Sequence, residues 1–534
     1  MVRTPPLGIK VPTSAMEFAS EDCSLVITIL GASGDLAKRK TYPALCTLHA
    51  QGFLPQTCKV LGYARSALTN ESHKETIKPY LKGTDDEIDA FLDITEYIPG
   101  QYCLAHEKEG PSVFKSLCDK IEEYESSRST CNRVFYLALP PSIYPEVCAN
   151  IKSECTQKTK GWTRIILEKP FGRDLESSEE LNKHICSLYR EDQLYRIDHY
   201  LGKELVQNLV VMRFANRLFT PIWNRDNISN IQIIFKEKIG CEGRGGYFDK
   251  YGIVRDIIQN HLIQVMALLA MERPCSLSAD DIRDEKLKVL RCTPPLTTDN
   301  IVTGQYLSGV DADGNHKKGY AEDETVPNDS KCPTFAMCVL FVNNERWQGV
   351  PFILKAGKAL NESKVEIRVQ LRDVPGDLFL QKSAPKGTQT RDELVVRLQP
   401  DPSIYMKMTV KEPGLETSIT QSEMELLYTD KYKSSVIPEA YERLILDCLY
   451  GEQQHFVRRD ELQAAWAIFT PVLHFIDAGG MAPEEYSFGS RGPLAADELR
   501  KKAGHVTNII ERDITWDMEP DSTPKFTTHA PLSP

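Results

Sequence analysis

Ser24-Leu-Val-Ile-Thr-Ile-Leu30 runs straight into Gly31-Ala32-Ser33-Gly34-Asp35-Leu36-Ala37. The apolar, β-rich first run predicts a buried strand, and the glycines after it predict a tight turn. Residues 35–51 then carry a helical pattern, so the first unit reads strand, glycine turn, helix. Further buried strands are predicted at 59–62, at 134–139 before Pro140-Pro141, and at 164–167 before Pro170. Strands alternating with helices predict a parallel, doubly wound sheet.

Beyond about residue 200 the pattern changes. Lys364-Val-Glu-Ile-Arg-Val-Gln-Leu371 and Tyr405-Met-Lys-Met-Thr-Val410 alternate polar with apolar residues, predicting antiparallel strands with one wet face. Helical stretches flank them at 247–271, 437–450 and 458–477. The expected architecture is α/β plus α+β: an extension at 1–22, a Rossmann-like domain at 23–198, a larger antiparallel-sheet domain covered by helices at 199–515, and a poorly ordered tail at 516–534.

A chain of 534 residues exceeds one compact core, and 41% hydrophobic with 26% charged residues is the composition of a globular protein. Apolar runs are too short for a membrane span, and no secretory signal is visible. A net charge of -11 and the lack of a Lys/Arg block argue against nucleic acid. Fifteen scattered cysteines without a C-x-x-C pair read as reduced thiols rather than a disulfide framework, and no zinc spacing occurs. Asp311-Ala312-Asp313-Gly314 reads as a surface turn, its glycine coming too early for a calcium loop.

The glycine turn lets a backbone approach a pyrophosphate, which a helix N-terminus then stabilises. At the end of the second strand stands Gly62-Tyr63-Ala64-Arg65-Ser66. An acid there would suit the ribose of NAD, whereas Arg65 suits the 2′-phosphate of NADP; a solvated surface arginine is the plain alternative. In Arg196-Ile197-Asp198-His199-Tyr200-Leu201-Gly202-Lys203-Glu204, a helix capped by Asp198 would set His199 and Lys203 on one face, with Tyr200 beside them. Imidazole, phenol and ammonium donors would then converge as a phosphate seat, the alternative being an exposed helix start. His261 lies between Ile257 and Val265 at helical spacing, a pattern that reads as a core histidine.

In GASGDLAKRK (31–40), GYARS (62–66), EKPFG (168–172) and RIDHYLGKE (196–204) the chain resembles the glucose-6-phosphate dehydrogenase family. RFANRLF, IWNRDN, EGRGGYFD, QNHL, GKALNES and GSRGP follow in order, so the likeness runs from about Val26 to about Pro493. It implies oxidation of glucose 6-phosphate at the anomeric carbon to 6-phosphogluconolactone with hydride transfer to NADP, the first step of the oxidative pentose phosphate pathway. His261 then matches the general base and Asp198 its carboxylate partner. His199, Tyr200 and Lys203 match phosphate ligands; Glu237, Asp256 and Lys358 match residues that hold sugar hydroxyls. Lys169 matches a lysine near both substrate and nicotinamide, followed in the family by a cis proline. Gly31, Ser33, Gly34, Asp35, Leu36, Arg65, Ser66, Tyr144 and Lys169 match cofactor positions. The resemblance also implies a cytoplasmic homodimer or homotetramer with no metal, nucleic-acid or membrane partner.

Two departures stand out. Ser363 replaces a basic residue usual near the phosphate. Lys364, Arg368, Arg397, Tyr405, Lys407 and Arg491 match a second, structural NADP site of some members, while Glu425 and the divergent tail leave its occupancy open.

Overall fold

The computed structural model describes residues 23–102, 113–157, 159–311, 314–379, 391–416, 419–433 and 437–506. The expected extension at 1–22, the tail at 516–534, and Ala312 and Asp313 of the acidic turn lie outside them. The chain divides into two compact units. One gathers Met1–Leu209 with Ala267–Arg291 and Val436–Thr470; the other gathers Val210–Met266, Cys292–Ser435 and Pro471–Pro534.

In the first unit β1 (Cys23–Leu30), β2 (Cys58–Ala64), β3 (Thr95–Pro99), β4 (Thr130–Leu137), β5 (Thr163–Leu167) and β6 (Leu194–Arg196) form one sheet. Its order is β3-β2-β1-β4-β5-β6, and every pair is parallel. The order reverses between β1 and β4, which places the ligand crevice of such a sheet at the carboxyl ends of these two strands. β1 is buried along its whole length, as a strand covered on both faces must be. The helix Tyr42–Ala50 and the later helix Ala440–Tyr450 bury Leu45, Leu48, Leu444 and Cys448 in the same core.

The second unit adds β7 (Ile228–Lys236), β8 (Ile301–Leu307), the ribbon β9 (Gly309–Val310) with β10 (His316–Lys317), then β11 (Phe335–Phe341), β12 (Pro351–Gly357), β13 (Lys364–Leu371), β14 (Glu393–Gln399), β15 (Ser403–Lys411), β16 (Ile419–Leu427) and β17 (Glu484–Ser487). Apart from the ribbon they form one sheet in the order β16-β15-β14-β13-β7-β12-β11-β8-β17. Only β7–β12 and β8–β17 pair in parallel, so the sheet is mainly antiparallel, as the alternation implied.

The wet face expected for β13 and β15 is corrected by the structure. Lys364, Glu366, Arg368 and Gln370 are all buried, as are Tyr405 and Lys407, while Met406 and Met408 are half-exposed. Buried charge persists only when paired. Arg368 lies 2.6 Å from Glu366 and 3.1 Å from Glu393, Lys407 reaches Glu393 at 3.5 Å, and Arg397 reaches Glu366 at 3.8 Å. Lys364 sits between Glu362 and Glu366. The basic residues that resemble a second dinucleotide site are thus interleaved with carboxylates from neighbouring strands.

The expectation of reduced thiols is corrected at one pair, while twelve other described cysteines are free. Cys118 and Cys155 form a disulfide with a Cα–Cα distance of 5.6 Å across a separation of 37 residues. Position along the chain could not signal it, because the helix Lys115–Glu125 and the end of the helix Tyr144–Glu154 meet only after folding.

Candidate active site

At the end of β1 the chain turns at Gly31 with φ +91. A Cβ there would stand 2.2 Å from the Ala138 carbonyl oxygen, so no side chain fits at this turn. The turn is anchored from β2, since the Gly31 and Ala32 amides donate to the Tyr63 carbonyl at 2.9 and 3.3 Å. Ser33 Oγ lies 2.9 Å from Ser66 Oγ, which ties the turn to the GYARS segment. Gly34 donates to Gly31, and the exposed Asp35 pairs with Arg39 at 2.7 Å. Leu36 leads into a π-helical turn, Ala37–Thr41, before the α-helix begins. Arg65 is exposed, its guanidinium 5.9 Å from the Tyr102 ring centroid. Tyr144 is fully buried, and its hydroxyl donates to the carbonyls of Leu137 and Glu168. The glycine turn at the carboxyl end of β1 fits a dinucleotide.

After β6 the expected helix start at Asp198 is replaced by successive turns. Leu201, Gly202 and Lys203 donate to the carbonyls of Asp198, His199 and Tyr200, and the α-helix starts only at Glu204. Asp198 caps the first turn, its Oδ1 accepting from the Tyr200 amide at 3.0 Å. Gly202 sits against the packed helix, where a Cβ would stand 2.6 Å from the Ala440 carbonyl oxygen.

These turns bring His199, Tyr200 and Lys203 together. The His199 and Tyr200 rings meet edge to face at 5.0 Å, and the Lys203 ammonium lies 5.0 Å from the Tyr200 ring. Burial holds the Lys203 ammonium below its ordinary pKa, and Lys40 adds to the depression while Glu439 opposes it. Two cations held near each other favour a polyanion, whose arrival relieves their repulsion.

Two further groups at this place escaped sequence reasoning. Tyr441 stacks on His199, centroids 6.0 Å apart and planes 11° from parallel. Glu168 is buried beside Lys169, accepts a hydrogen bond from the Tyr136 phenol, and is pushed up to about 7 by burial. Glu168 lies within the EKPFG motif, but Tyr441 sits in an ordinary amphipathic helix and carries no local signal. The half-buried Lys169 precedes Pro170 through a cis peptide.

In the second unit His261 is 1% exposed and lies on the π-helical segment Val254–Leu262, which also carries Asp256 in its first turn. Such widened turns re-aim side chains and recur at functional sites; the sequence pattern showed only a helix. Glu237 follows β7 and Lys358 follows β12, strands that pair directly. Lys358 Nζ donates to Glu237 Oε2 at 2.5 Å and lies 4.0 Å from Asp256 Oδ2. Burial works to lower the Lys358 pKa, but the two carboxylates prevail and hold it raised. The result is a cluster of one ammonium and two carboxylates, able to donate to and accept from vicinal hydroxyls. Ser363 Oγ accepts from the Lys238 amide at 3.0 Å, so its hydroxyl joins the ends of β7 and β13.

A family model described as the NAD binding domain of glucose-6-phosphate dehydrogenase matches residues 28–208, and one described as its C-terminal domain matches 210–508. The Arabidopsis thaliana protein named glucose-6-phosphate 1-dehydrogenase 5, cytoplasmic, is 55% identical over 500 residues, 91% of this chain and 93% of its own. The cytoplasmic isoform of glucose-6-phosphate 1-dehydrogenase from Solanum tuberosum is 56% identical over 492 residues, 90% and 92% of the two chains. A solved structure of glucose-6-phosphate dehydrogenase in complex with its substrate glucose-6-phosphate superposes with a TM-score of 0.83 at 46% identity, covering 91% of this chain and 99% of that one.

Proposed function

This chain belongs to the glucose-6-phosphate dehydrogenase family, and on that premise we propose how its residues divide the oxidation of glucose 6-phosphate. His199, Tyr200 and Lys203 bind the phosphate, and Glu237, Asp256 and Lys358 hold the sugar hydroxyls. The phosphate seat is the observation that supports this most. The turns after β6 gather an imidazole, a phenol and an ammonium whose pKa is held down by burial and by a second cation.

His261 takes the proton from the anomeric hydroxyl as hydride leaves the same carbon; histidine's intrinsic pKa suits that task near neutrality. Asp198 holds the imidazole in the productive tautomer and favours the imidazolium that forms. The preferred dinucleotide is NADP, whose bound nicotinamide supplies the hydride acceptor. Gly31, Ser33, Gly34, Asp35 and Leu36 hold its pyrophosphate side, Arg65 and Ser66 its 2′-phosphate. Lys169 and Tyr144 complete the cofactor side, and Lys169 also orients the reacting ends.

We assign the protein to the cytoplasm, in keeping with the names of its plant relatives. We further assign it to a homodimer or homotetramer. Edge strand β16, where Met424 is 63% exposed, supports self-association.

Following NADPH absorbance with glucose 6-phosphate, and separately with free glucose, tests the assignment. Rapid turnover confined to glucose 6-phosphate is expected. Equal rates with glucose would indicate a broader hexose dehydrogenase, and no turnover with either would leave a binding protein on this fold.

A further inference from the structure

We infer that Tyr486 is a positioning residue for the sugar-binding lysine: its phenol, backed by Thr334, holds the Lys358 carbonyl while Ala359 leaves β12 in a left-handed conformation. The inference rests on the reading of Lys358 as a ligand of the sugar hydroxyls.

Ala359 has φ +54, in the left-handed region that disfavours a residue with a Cβ by roughly tenfold. It is fully buried and directly follows Lys358. Such a conformation persists only where the surroundings hold it, and it recurs where a side chain must be aimed. Here every backbone donor and acceptor of the two residues is engaged. The Lys358 amide donates to the Thr334 carbonyl at 3.0 Å, and the Ala359 amide donates to the Ile239 carbonyl at 2.9 Å. The Ala359 carbonyl accepts from the Gly489 amide at 2.8 Å. The fourth group, the Lys358 carbonyl, accepts from the Tyr486 hydroxyl at 2.8 Å. Three of these bonds join backbone to backbone; the fourth depends on one side chain.

Tyr486 lies on β17, is 4% exposed, and meets the Phe335 ring edge to face at 5.7 Å. Its oxygen is also 2.9 Å from Thr334 Oγ1. The phenol has one proton, and that proton goes to Lys358, so the Thr334 hydroxyl donates to the phenol oxygen. Thr334 Oγ1 in turn accepts from the Tyr306 amide at 3.1 Å. An amide, a hydroxyl, a phenol and a carbonyl thus form one directed chain that ends on Lys358, each bond polarising the next. Releasing the carbonyl frees the 358–359 peptide to turn. Ala359 then relaxes to negative φ, and the Lys358 side chain swings away from Glu237 and Asp256, which lie 2.5 and 4.0 Å from its Nζ.

The test measures KM for glucose 6-phosphate at saturating NADP, KM for NADP, kcat and Tm in Tyr486→Phe, Ala359→Gly, Lys358→Ala and their combinations. Tyr486→Phe keeps the ring and removes only the donor. Its KM for glucose 6-phosphate is expected to rise about fivefold, the worth of one neutral hydrogen bond, with kcat and KM for NADP nearly unchanged. Glycine enters a positive φ at no steric cost, so adding Ala359→Gly should bring that KM back towards wild type. In the Lys358→Ala background Tyr486→Phe should change KM no further, because the phenol acts through the lysine. If Tyr486→Phe does not fold, Thr334→Val takes its place in the same comparisons, with a rise of about twofold expected in the same KM alone. Equal losses for both substrates, no rescue by Ala359→Gly, or the same loss with and without Lys358 would show a merely structural role and overturn the inference. If Lys358→Ala raises KM while neither Tyr486→Phe nor Thr334→Val does, this inference alone falls. If Lys358→Ala leaves KM unchanged, it falls together with the reading beneath it.

Discussion

Lys358 and Glu237 face each other from the ends of two directly paired parallel strands, Nζ to Oε2 2.5 Å, with Asp256 4.0 Å from the same nitrogen. The sheet register sets this pair, and the pair then presents opposite charges side by side. Each strengthens the other's hold on a hydroxyl, so the two residues should act as a unit. Lys358→Ala is expected to raise KM for glucose 6-phosphate about tenfold or more, as loss of a charge-assisted contact does. Adding Glu237→Ala should cost less than the sum of the single losses. Strict additivity in that double-mutant cycle would show that the residues contact substrate independently.

His261→Asn preserves some hydrogen bonding but cannot take a proton. Turnover is expected to fall roughly a hundredfold or more, the usual worth of a general base, while dinucleotide affinity survives. Asp198→Asn should also be damaging and non-additive with it, because partners in one proton transfer fail together. Near-normal turnover of His261→Asn in a steady-state assay would remove the residue from catalysis.

Arg65 is exposed at the end of β2, and its segment is tied to the glycine turn through Ser66 and Ser33. If its guanidinium reads the 2′-phosphate, Arg65→Ala should weaken NADP by about tenfold or more while NAD is little affected. Equal losses for both dinucleotides, measured by titration of the free protein, would mean that Arg65 only shapes the turn.

Ser363 offers one neutral hydroxyl where the family resemblance implies a cation. Ser363→Arg should lower KM for glucose 6-phosphate and leave kcat nearly unchanged, because phosphate contacts far from the reacting carbon stabilise ground and transition states alike. The substitution also removes the bond to the Lys238 amide, so a melting curve must accompany the kinetics. An intact fold with KM unchanged or higher would refute the added contact.

His73 lies fully buried, stacked on Tyr97 at 4.5 Å and edge-on to Tyr42 at 5.3 Å. Burial lowers its pKa from 6.5 to about 4. Between these values the unfolded chain takes up a proton that the native state refuses, so this contribution to stability is complete above pH 6.5 and is lost as pH falls towards 4. His73→Leu should lower Tm near neutrality through lost stacking, yet narrow the gap between Tm at neutral and at acid pH. A gap equal to that of wild type would show that His73 does not govern acid sensitivity.

What the residues determined by themselves is local. The apolar run at 24–30 must be covered on both faces, and Gly31 answers a backbone conformation closed to side chains; both could be read in order along the chain. The change from buried to alternating strands likewise announced the antiparallel sheet, and the motif residue types carried the chemistry of the site. Tertiary structure decided whatever depends on partners distant in sequence. Alternation in β13 marked two faces, but Glu366 and Arg368 of β13, Glu393 and Arg397 of β14 and Lys407 of β15 remain buried only because the paired strands bring their charges together. After Asp198 the chain makes successive turns before the helix at Glu204, and the helix at Ala440 packs so close that only a glycine fits at 202. Nothing beside Tyr441 in the chain points to His199; the two rings meet only because the helix Ala440–Tyr450 packs into the core of the first unit. Backbone pattern repeats within a few residues, whereas the desolvation of a charge and its compensation are settled only when separate segments close over it.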